Sequence, residues 1–169
     1  MDCLLIRHGI AVSPDEWEGE EDKRPLTPKG KKRVLRAAAG LATLEYVPSH
    51  LFSSPLVRAL ETARLIRSVL CPSLKIELCD ELTPDSTPER ILAFLASLRP
   101  ESVVACVGHE PLLGETAAFL LCGRASRNFP FKKAGASLIH LPGALKPGHG
   151  ILRWWLEPMQ LRALGKGGT

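Results

Sequence analysis

The sequence predicts an α/β fold, a three-layer sandwich in which helices cover both faces of a mostly parallel central sheet. Short apolar runs alternate with longer segments whose apolar residues recur at helical spacing, which is typical of βαβ units. The run from Val103 to Val107 is continuously apolar, which indicates a strand buried on both faces. With 169 residues, 45% of them apolar, the chain can form one domain over residues 1–169 with a core of its own.

The individual elements follow from local signals. A hydroxyl residue followed by proline is typical of a helix start, and such pairs precede three helical patterns, at Thr27-Pro28, Ser54-Pro55 and Thr87-Pro88. A fourth helix is predicted from Pro111 to Leu121. The Gly- and Pro-rich segment 142–150 separates the last two predicted strands, which we expect to form an antiparallel hairpin at the sheet edge. The six predicted strands are Cys3 to Ile6, Leu51 to Ser53, Leu74 to Leu78, Val103 to Val107, Ser137 to Leu141 and Ile151 to Leu156.

Charge and cysteine content narrow the class of protein. The segment from Asp15 to Asp22 holds six acids and no base, so the remaining 12 acids face 22 bases and the rest of the chain carries +10. A basic body suits an anionic substrate. The five cysteines, odd in number and never spaced C-x-x-C, are expected to be reduced, buried thiols. Because neither a secretory signal nor an apolar run of about 20 residues is present, we expect a cytoplasmic protein with no membrane partner.

Arginine and histidine side chains follow three predicted strands, close to where each strand ends. Arg7 and His8 follow the first strand, Arg58 lies shortly after the second, and His109 follows the fourth. Ligands of open α/β sheets bind beyond the carboxyl ends of the strands, so these side chains are expected to meet at one rim. Guanidinium forks bind phosphate oxygens, and a neutral imidazole can attack phosphorus while a protonated one donates a hydrogen bond. The sequence therefore predicts a phosphate site that needs no metal or cofactor, with glycines beside both histidines letting the backbone approach the ligand.

Each of these residues also has an ordinary structural interpretation. A histidine at a strand end is commonly a hydrogen-bonded polar residue, and Arg58 could pair with Glu61 on a solvated helix face. The remaining histidines, His50, His140 and His149, are predicted to be structural or solvated. The ordinary interpretation explains any one residue, but not why four of them fall at three strand ends.

Four segments, in matching order, resemble the histidine phosphatase superfamily and, within it, the short SixA-type phosphohistidine phosphatases. The resemblance runs from Met1 to about Leu121, and more loosely to Pro158. The Arg-His-Gly tripeptide, the RHG motif, is a weak signal alone, whereas the ordered set is specific. The four segments are Leu5-Ile6-Arg7-His8-Gly9, Arg24-Pro25-Leu26-Thr27-Pro28-Lys29-Gly30, residues 53–63 (SSPLVRALETA) and Val107-Gly108-His109-Glu110-Pro111.

The resemblance implies a role for each matching residue. His8 would be the nucleophile that becomes transiently phosphorylated, and the phosphoryl oxygens would be held by Arg7, Arg58 and His109. Arg24 resembles a further phosphate-facing arginine, although it could equally be an ordinary residue of the loop that leads into a helix.

The leaving group of phosphoryl transfer normally needs a proton donor. The resemblance implies that in sugar-phosphate members a carboxylate supplies the proton, and the nearest candidate here is Glu81. Glu81 could also be an ordinary solvated acid, and Asp85 or the acidic segment could serve instead. A P–N bond to imidazole is labile and its leaving nitrogen is basic, so a phosphohistidine phosphatase depends less on such an acid.

These observations predict a hydrolase that removes a phosphoryl group through a covalent phosphohistidine, from phosphohistidine on a protein. The lack of long insertions between the strands supports this substrate, because an open site admits a side chain presented by another protein. One alternative is a phosphatase or mutase that acts on a small phosphorylated metabolite. Another is a non-catalytic phosphate-binding module. The aromatic content of 5% argues against a nucleic-acid partner.

Overall fold

The computed structural model describes residues 1–166, in which strands and helices alternate as predicted. Six strands form one sheet: β1 (Asp2–Arg7), β2 (His50–Ser53), β3 (Ile76–Leu78), β4 (Val103–Gly108), β5 (Ala136–His140) and β6 (Ile151–Leu156). The described part of the chain has five α-helices: α1 (Pro28–Ala42), α2 (Val57–Leu70), α3 (Pro88–Ala96), α4 (Leu112–Cys122) and α5 (Pro158–Leu164).

The sheet is mixed but mostly parallel, which confirms the predicted fold class. Its strand order is β3-β2-β4-β1-β5-β6. The four strands β3, β2, β4 and β1 pair in parallel, while β5 runs antiparallel to both β1 and β6. The predicted β5–β6 hairpin therefore forms one edge of the sheet.

Two hydrophobic cores, one on each face of the sheet, hold the three layers together. On one face α1, α2 and α5 pack on the sheet, and on the other α3 and α4 do so. Successive residues of β4 alternate between the cores: Val104 and Cys106 join one, Ala105 and Val107 the other. This double burial explains why the strand is continuously apolar. Helices α1 and α5 pack so closely at Gly40 that a Cβ there would overlap the Leu161 carbonyl.

The helix starts follow the predicted capping chemistry at two of three places. The Thr27 hydroxyl accepts a hydrogen bond from the Gly30 amide at 2.9 Å, and Thr87 caps α3 in the same way. The prediction for Ser54-Pro55 was wrong, because α2 begins at Val57 without a side-chain cap. Helix α5 was not predicted, although Glu157-Pro158 at its start resembles the other starts and the Gln160 side chain accepts from the Glu157 amide at 2.7 Å.

The environment of the cysteines agrees with the prediction at four of the five positions. All five thiols are free, and those of Cys3, Cys71, Cys79 and Cys106 are buried. The prediction was wrong for Cys122, which is exposed because it lies at the end of α4.

Within residues 1–166, no helix combines the length and the apolarity needed to cross a membrane.

Candidate active site

The neighbouring parallel strands β1, β4 and β2 end at the same level, so the residues that follow them lie at one rim of the sheet. Strand β4 lies between β1 and β2. Arg7 at the end of β1 pairs with Gly108 of β4, and Val107 of β4 pairs with Ser53 at the end of β2. The residues that immediately follow these strands are therefore brought together, as the sequence predicted from the topology.

A cavity of about 650 Å³ opens at this rim. The His8 and His109 rings lie in its wall with their centroids 5.0 Å apart, tilted by 53°. The structure thus brings the four principal predicted side chains to one site, and Arg24 joins them. The arginines of the cavity wall are Arg7, Arg24 and Arg58.

The hydrogen bonding of His8 determines which ring nitrogen is free. The side chain is only 7% exposed, and Nδ1 lies 2.7 Å from the Gly9 carbonyl oxygen. Because a carbonyl only accepts, Nδ1 carries the proton and the neutral ring keeps its lone pair on Nε2. Burial, together with smaller effects of the charges of Arg58 and Arg7, lowers the pKa of His8 to about 3 despite the opposing hydrogen bond to the Gly9 carbonyl. The ring is therefore neutral near pH 7 and can act as a nucleophile through Nε2.

The backbone after His8 is fixed by Thr62 of α2. The Thr62 hydroxyl accepts from the Gly9 amide at 3.0 Å and donates to the Arg58 carbonyl at 2.7 Å. One hydroxyl therefore links the histidine segment to the helix that carries an active-site arginine. The glycines that follow His8 and precede His109 allow the protein itself to pack closely. A Cβ at Gly9 would lie 2.6 Å from Val34, and one at Gly108 would lie 3.3 Å from Leu113 and from the Leu82 carbonyl.

His109 is the more deeply buried of the two histidines. It is 2% exposed, and its Nε2 lies 2.9 Å from the Ser54 hydroxyl. This contact explains why Ser54 does not cap α2. Burial, followed by the influence of His8, Arg58 and Arg7, lowers the pKa of His109 to about 2. Its buried Nδ1 has no hydrogen-bond partner among the described residues.

Two arginines, the half-buried Arg7 and the buried Arg58, supply positive charge at the site. The Arg7 guanidinium donates to the Phe131 carbonyl at 2.5 Å, and Arg58, 5% exposed, donates to the Glu21 carbonyl at 3.1 Å. Burial lowers the pKa of both side chains, partly offset for Arg7 by Glu110 and for Arg58 by Glu21. The Nε atoms of both are buried and make no hydrogen bond to the described residues. Such donors suit an anion of the size of phosphate.

Glu21 already provides an anion between two of the arginines. Its carboxylate accepts from Arg24 Nε at 2.8 Å and from Arg24 Nη2 at 2.6 Å, and lies 3.3 Å from Arg58 Nη1. The hydrogen bonds from Arg24 are the main reason why the pKa of Glu21 is lowered. The alternative pairing of Arg58 with Glu61 was wrong, since Glu61 binds Lys31 at 2.6 Å instead.

Comparisons with known proteins identify the family of the chain. A model of the histidine phosphatase superfamily (branch 1) matches residues 3–83. An uncharacterized protein from Picosynechococcus sp. is 33% identical over 138 residues, which are 80% of this chain and 82% of that protein. The chain belongs to the histidine phosphatase superfamily.

Solved structures place this superfamily member among phosphatases. It matches the protein histidine phosphatase SixA, solved with tungstate, with a TM-score of 0.83 and 26% identity over 95% of this chain and 99% of that chain. It also matches a histidine-to-alanine mutant of phosphoserine phosphatase from Entamoeba histolytica, solved with phosphoserine, with a TM-score of 0.69. That second match is 17% identical over 95% of this chain and 98% of the other, and shows similarity of fold alone.

The acids of this phosphatase lie differently from what the sequence suggested. Glu81 is not part of the cavity wall, because it accepts from the Cys79 thiol at 3.3 Å and lies 3.6 Å from Arg90. Asp85 and Glu110 do line the cavity. Burial raises the pKa of Glu110, although its carboxylate accepts from the backbone amides of Gly114 and Phe131. Across residues 1–166, no cluster of three or more His, Cys, Asp or Glu residues is placed to hold a metal ion.

Sequence reasoning missed Lys133, which lies in the cavity wall just before β5. Burial, with the nearby charges of Arg7 and Arg24, lowers its pKa. The residue belongs to no motif and to no predicted strand end, so no local signal marked it. Lys133 adds an amine to a cavity wall that already contains three arginines and two histidines.

Proposed function

We propose that this phosphatase acts through a covalent phosphohistidine at His8 and removes the phosphoryl group from phosphohistidine on another protein, without a metal. The observation that carries the proposal is the free lone pair of His8 Nε2, fixed by the Nδ1 contact to Gly9 in a wall of guanidinium groups. Neither a phosphate-binding module nor a nucleic-acid-binding protein needs a buried, neutral imidazole of defined tautomer.

In the first step, Nε2 of His8 attacks phosphorus and forms a P–N bond. The P–N bond of the substrate breaks, and the substrate imidazole leaves after taking a proton from solvent. In the second step, water attacks phosphorus, the bond to Nε2 breaks, and inorganic phosphate is released. Arg7, Arg58 and Arg24, which line the cavity, hold the phosphoryl oxygens in this mechanism, and negative charge is spread over these oxygens in the transition state.

His109 complements the negative charge in this mechanism. The neighbouring positive charges and burial favour its neutral form. A phosphoryl dianion reverses the sign of the local charge, so its binding favours uptake of a proton by His109. The imidazolium then donates a hydrogen bond to a phosphoryl oxygen, while the Ser54 hydroxyl, 2.9 Å from Nε2, keeps the ring in place.

Two observations support a phosphohistidine substrate on a protein. The chain aligns with 99% of the structure of the protein histidine phosphatase SixA, which was solved with the oxyanion tungstate. Glu81 lies outside the cavity wall, and a P–N substrate depends least on a strong proton donor. One observation favours a small phosphomonoester instead: Asp85 lines the cavity and could protonate an alkoxide leaving group.

We also propose that the protein is cytoplasmic, because its buried free thiols stay reduced in that compartment.

The decisive experiment compares substrates and follows the label. The protein is incubated with a phosphohistidine-bearing protein, phosphoserine and sugar phosphates, each radiolabelled, and both phosphate release and label on the enzyme are measured. We expect an acid-labile, alkali-stable label that is absent from His8→Ala and present in a His149→Ala control, which changes an exposed histidine. Label on His8→Ala would overturn the nucleophile assignment, and faster release from metabolites would overturn the substrate assignment.

A further inference from the structure

A second cavity, of about 440 Å³, adjoins the active site. Arg7 and Lys133 line both cavities, so an extended ligand can pass from one to the other. We call the second cavity the basic groove and define it by Arg33, Lys132, Lys133 and Arg162. These side chains come from α1, from the segment before β5 and from α5, and are therefore assembled only by the fold.

The four cations of the basic groove lack ion-pair partners in the part of the chain that the structure describes. Among the ion pairs of residues 1–166, none includes Arg33, Lys132, Lys133 or Arg162. Among residues 1–166, Glu157 is the one acid in the wall of this groove. Like charges held close together repel, so an anionic partner that covers them gains favourable electrostatic energy.

The basic surface continues beyond the groove. A smaller hollow of about 270 Å³ shares Met159 and Arg162 with the groove and adds Arg36 and Lys166. Met159 is 68% exposed, which offers an apolar contact between the cations. The basic groove and the smaller hollow together therefore suit a polypeptide, in which apolar side chains can alternate with acidic ones.

We propose that the basic groove binds an acidic segment of the phosphorylated protein substrate, next to the residue whose phosphoryl group enters the active site. The proposal rests on the proposed function. A protein segment fits better than a nucleic acid for two reasons. None of the described residues that line the groove is aromatic, so a base has nothing to stack on. The active-site wall also contains Glu21 and Asp22, which would repel a uniformly anionic chain.

The test uses two phosphohistidine peptides that differ only in their flanking residues, glutamates in one and glutamines in the other. We expect the wild-type protein to show about five-fold higher kcat/KM for the glutamate peptide, through a lower KM, as expected for two exposed ion pairs. The double variant Arg33→Ala/Arg162→Ala should lose this preference but keep the wild-type rate on the glutamine peptide. The control Arg64→Ala/Arg99→Ala, which removes two exposed arginines elsewhere, should keep the preference.

The outcomes separate the two proposals. Equal kcat/KM of the wild-type protein for both peptides, or an unchanged preference in the groove variant, overturns the groove assignment and leaves the proposed function intact. Hydrolysis of neither peptide overturns the proposed function, and the groove assignment with it. A single-stranded oligonucleotide that binds the groove more tightly than the glutamate peptide, and loses affinity in the double variant, overturns the choice of a protein partner.

Discussion

Acidification should destabilise this protein because of its two active-site histidines. In the folded state the pKa of His8 is lowered from 6.5 to about 3, and that of His109 to about 2. As the pH falls through 6.5, the unfolded chain takes up two protons that the folded protein does not bind. The unfolded state is therefore favoured increasingly at lower pH, and the stability is regained as the pH rises above 6.5.

The size of the effect follows from the shifts themselves. Between about pH 7.5 and about pH 5.5, a histidine of the unfolded chain, with its ordinary pKa, takes up a proton that the same histidine in the folded protein does not. The integrated loss in the free energy of unfolding is about 1.4 kcal/mol per histidine. The two rings together cost about 2.7 kcal/mol over this interval. The size of this loss depends little on how far each pKa is lowered, since the folded-state pKa values of both histidines lie well below this pH interval.

Urea denaturation at the two pH values measures this difference. The variant His8→Asn retains an N–H donor for the Gly9 carbonyl and should lose about 1.4 kcal/mol less than the wild-type protein on acidification. The control His149→Asn changes an exposed histidine and should behave like the wild-type protein. If His8→Asn loses as much stability as the wild-type protein, the ring is not held neutral by the fold and the reasoning fails.

Three further substitutions test the contacts around the site and the core. Thr62→Val leaves the Gly9 amide without its acceptor and should cost about 2 kcal/mol in urea denaturation, whereas Thr62→Ser should be nearly neutral; equal losses would contradict this. Ser54→Ala removes the hydroxyl that contacts the buried His109 ring and should lower kcat about ten-fold in steady-state assays; an unchanged kcat would contradict this. Gly40→Ala forces a methyl group into the Leu161 carbonyl and should cost about 3 kcal/mol, so an unchanged Tm would contradict the close packing of α1 on α5.

The fold was predictable where local chemistry and burial point to the same structure. The continuous apolarity of β4 matches its position between two cores, and Thr27 caps α1 as its sequence suggests. Ser54-Pro55 has the same local pattern as Thr27-Pro28 but does not cap a helix, because the Ser54 hydroxyl contacts His109, 55 residues away. A tertiary contact of this kind leaves no trace in the residues on either side.

The candidate site was predictable to the extent that topology determines it. Parallel strands end at one rim, so His8 and His109 meet without any contact having to be known in advance. The charge partners of the site could not be predicted from topology, because they depend on how the loops fold. The sequence showed Glu21 as one of six acids in a polar segment, and only the structure shows it bound between two arginines.

The position of Glu21 has a consequence for turnover. Arg24 and Arg58 hold this carboxylate through N–H groups that an incoming phosphoryl group would also need in the proposed mechanism. If the phosphoryl group binds there, it would displace the glutamate, which would return as inorganic phosphate leaves. The two guanidinium groups would then exchange one counter-ion for another, and departure of the product would not be opposed by the cost of leaving them uncompensated.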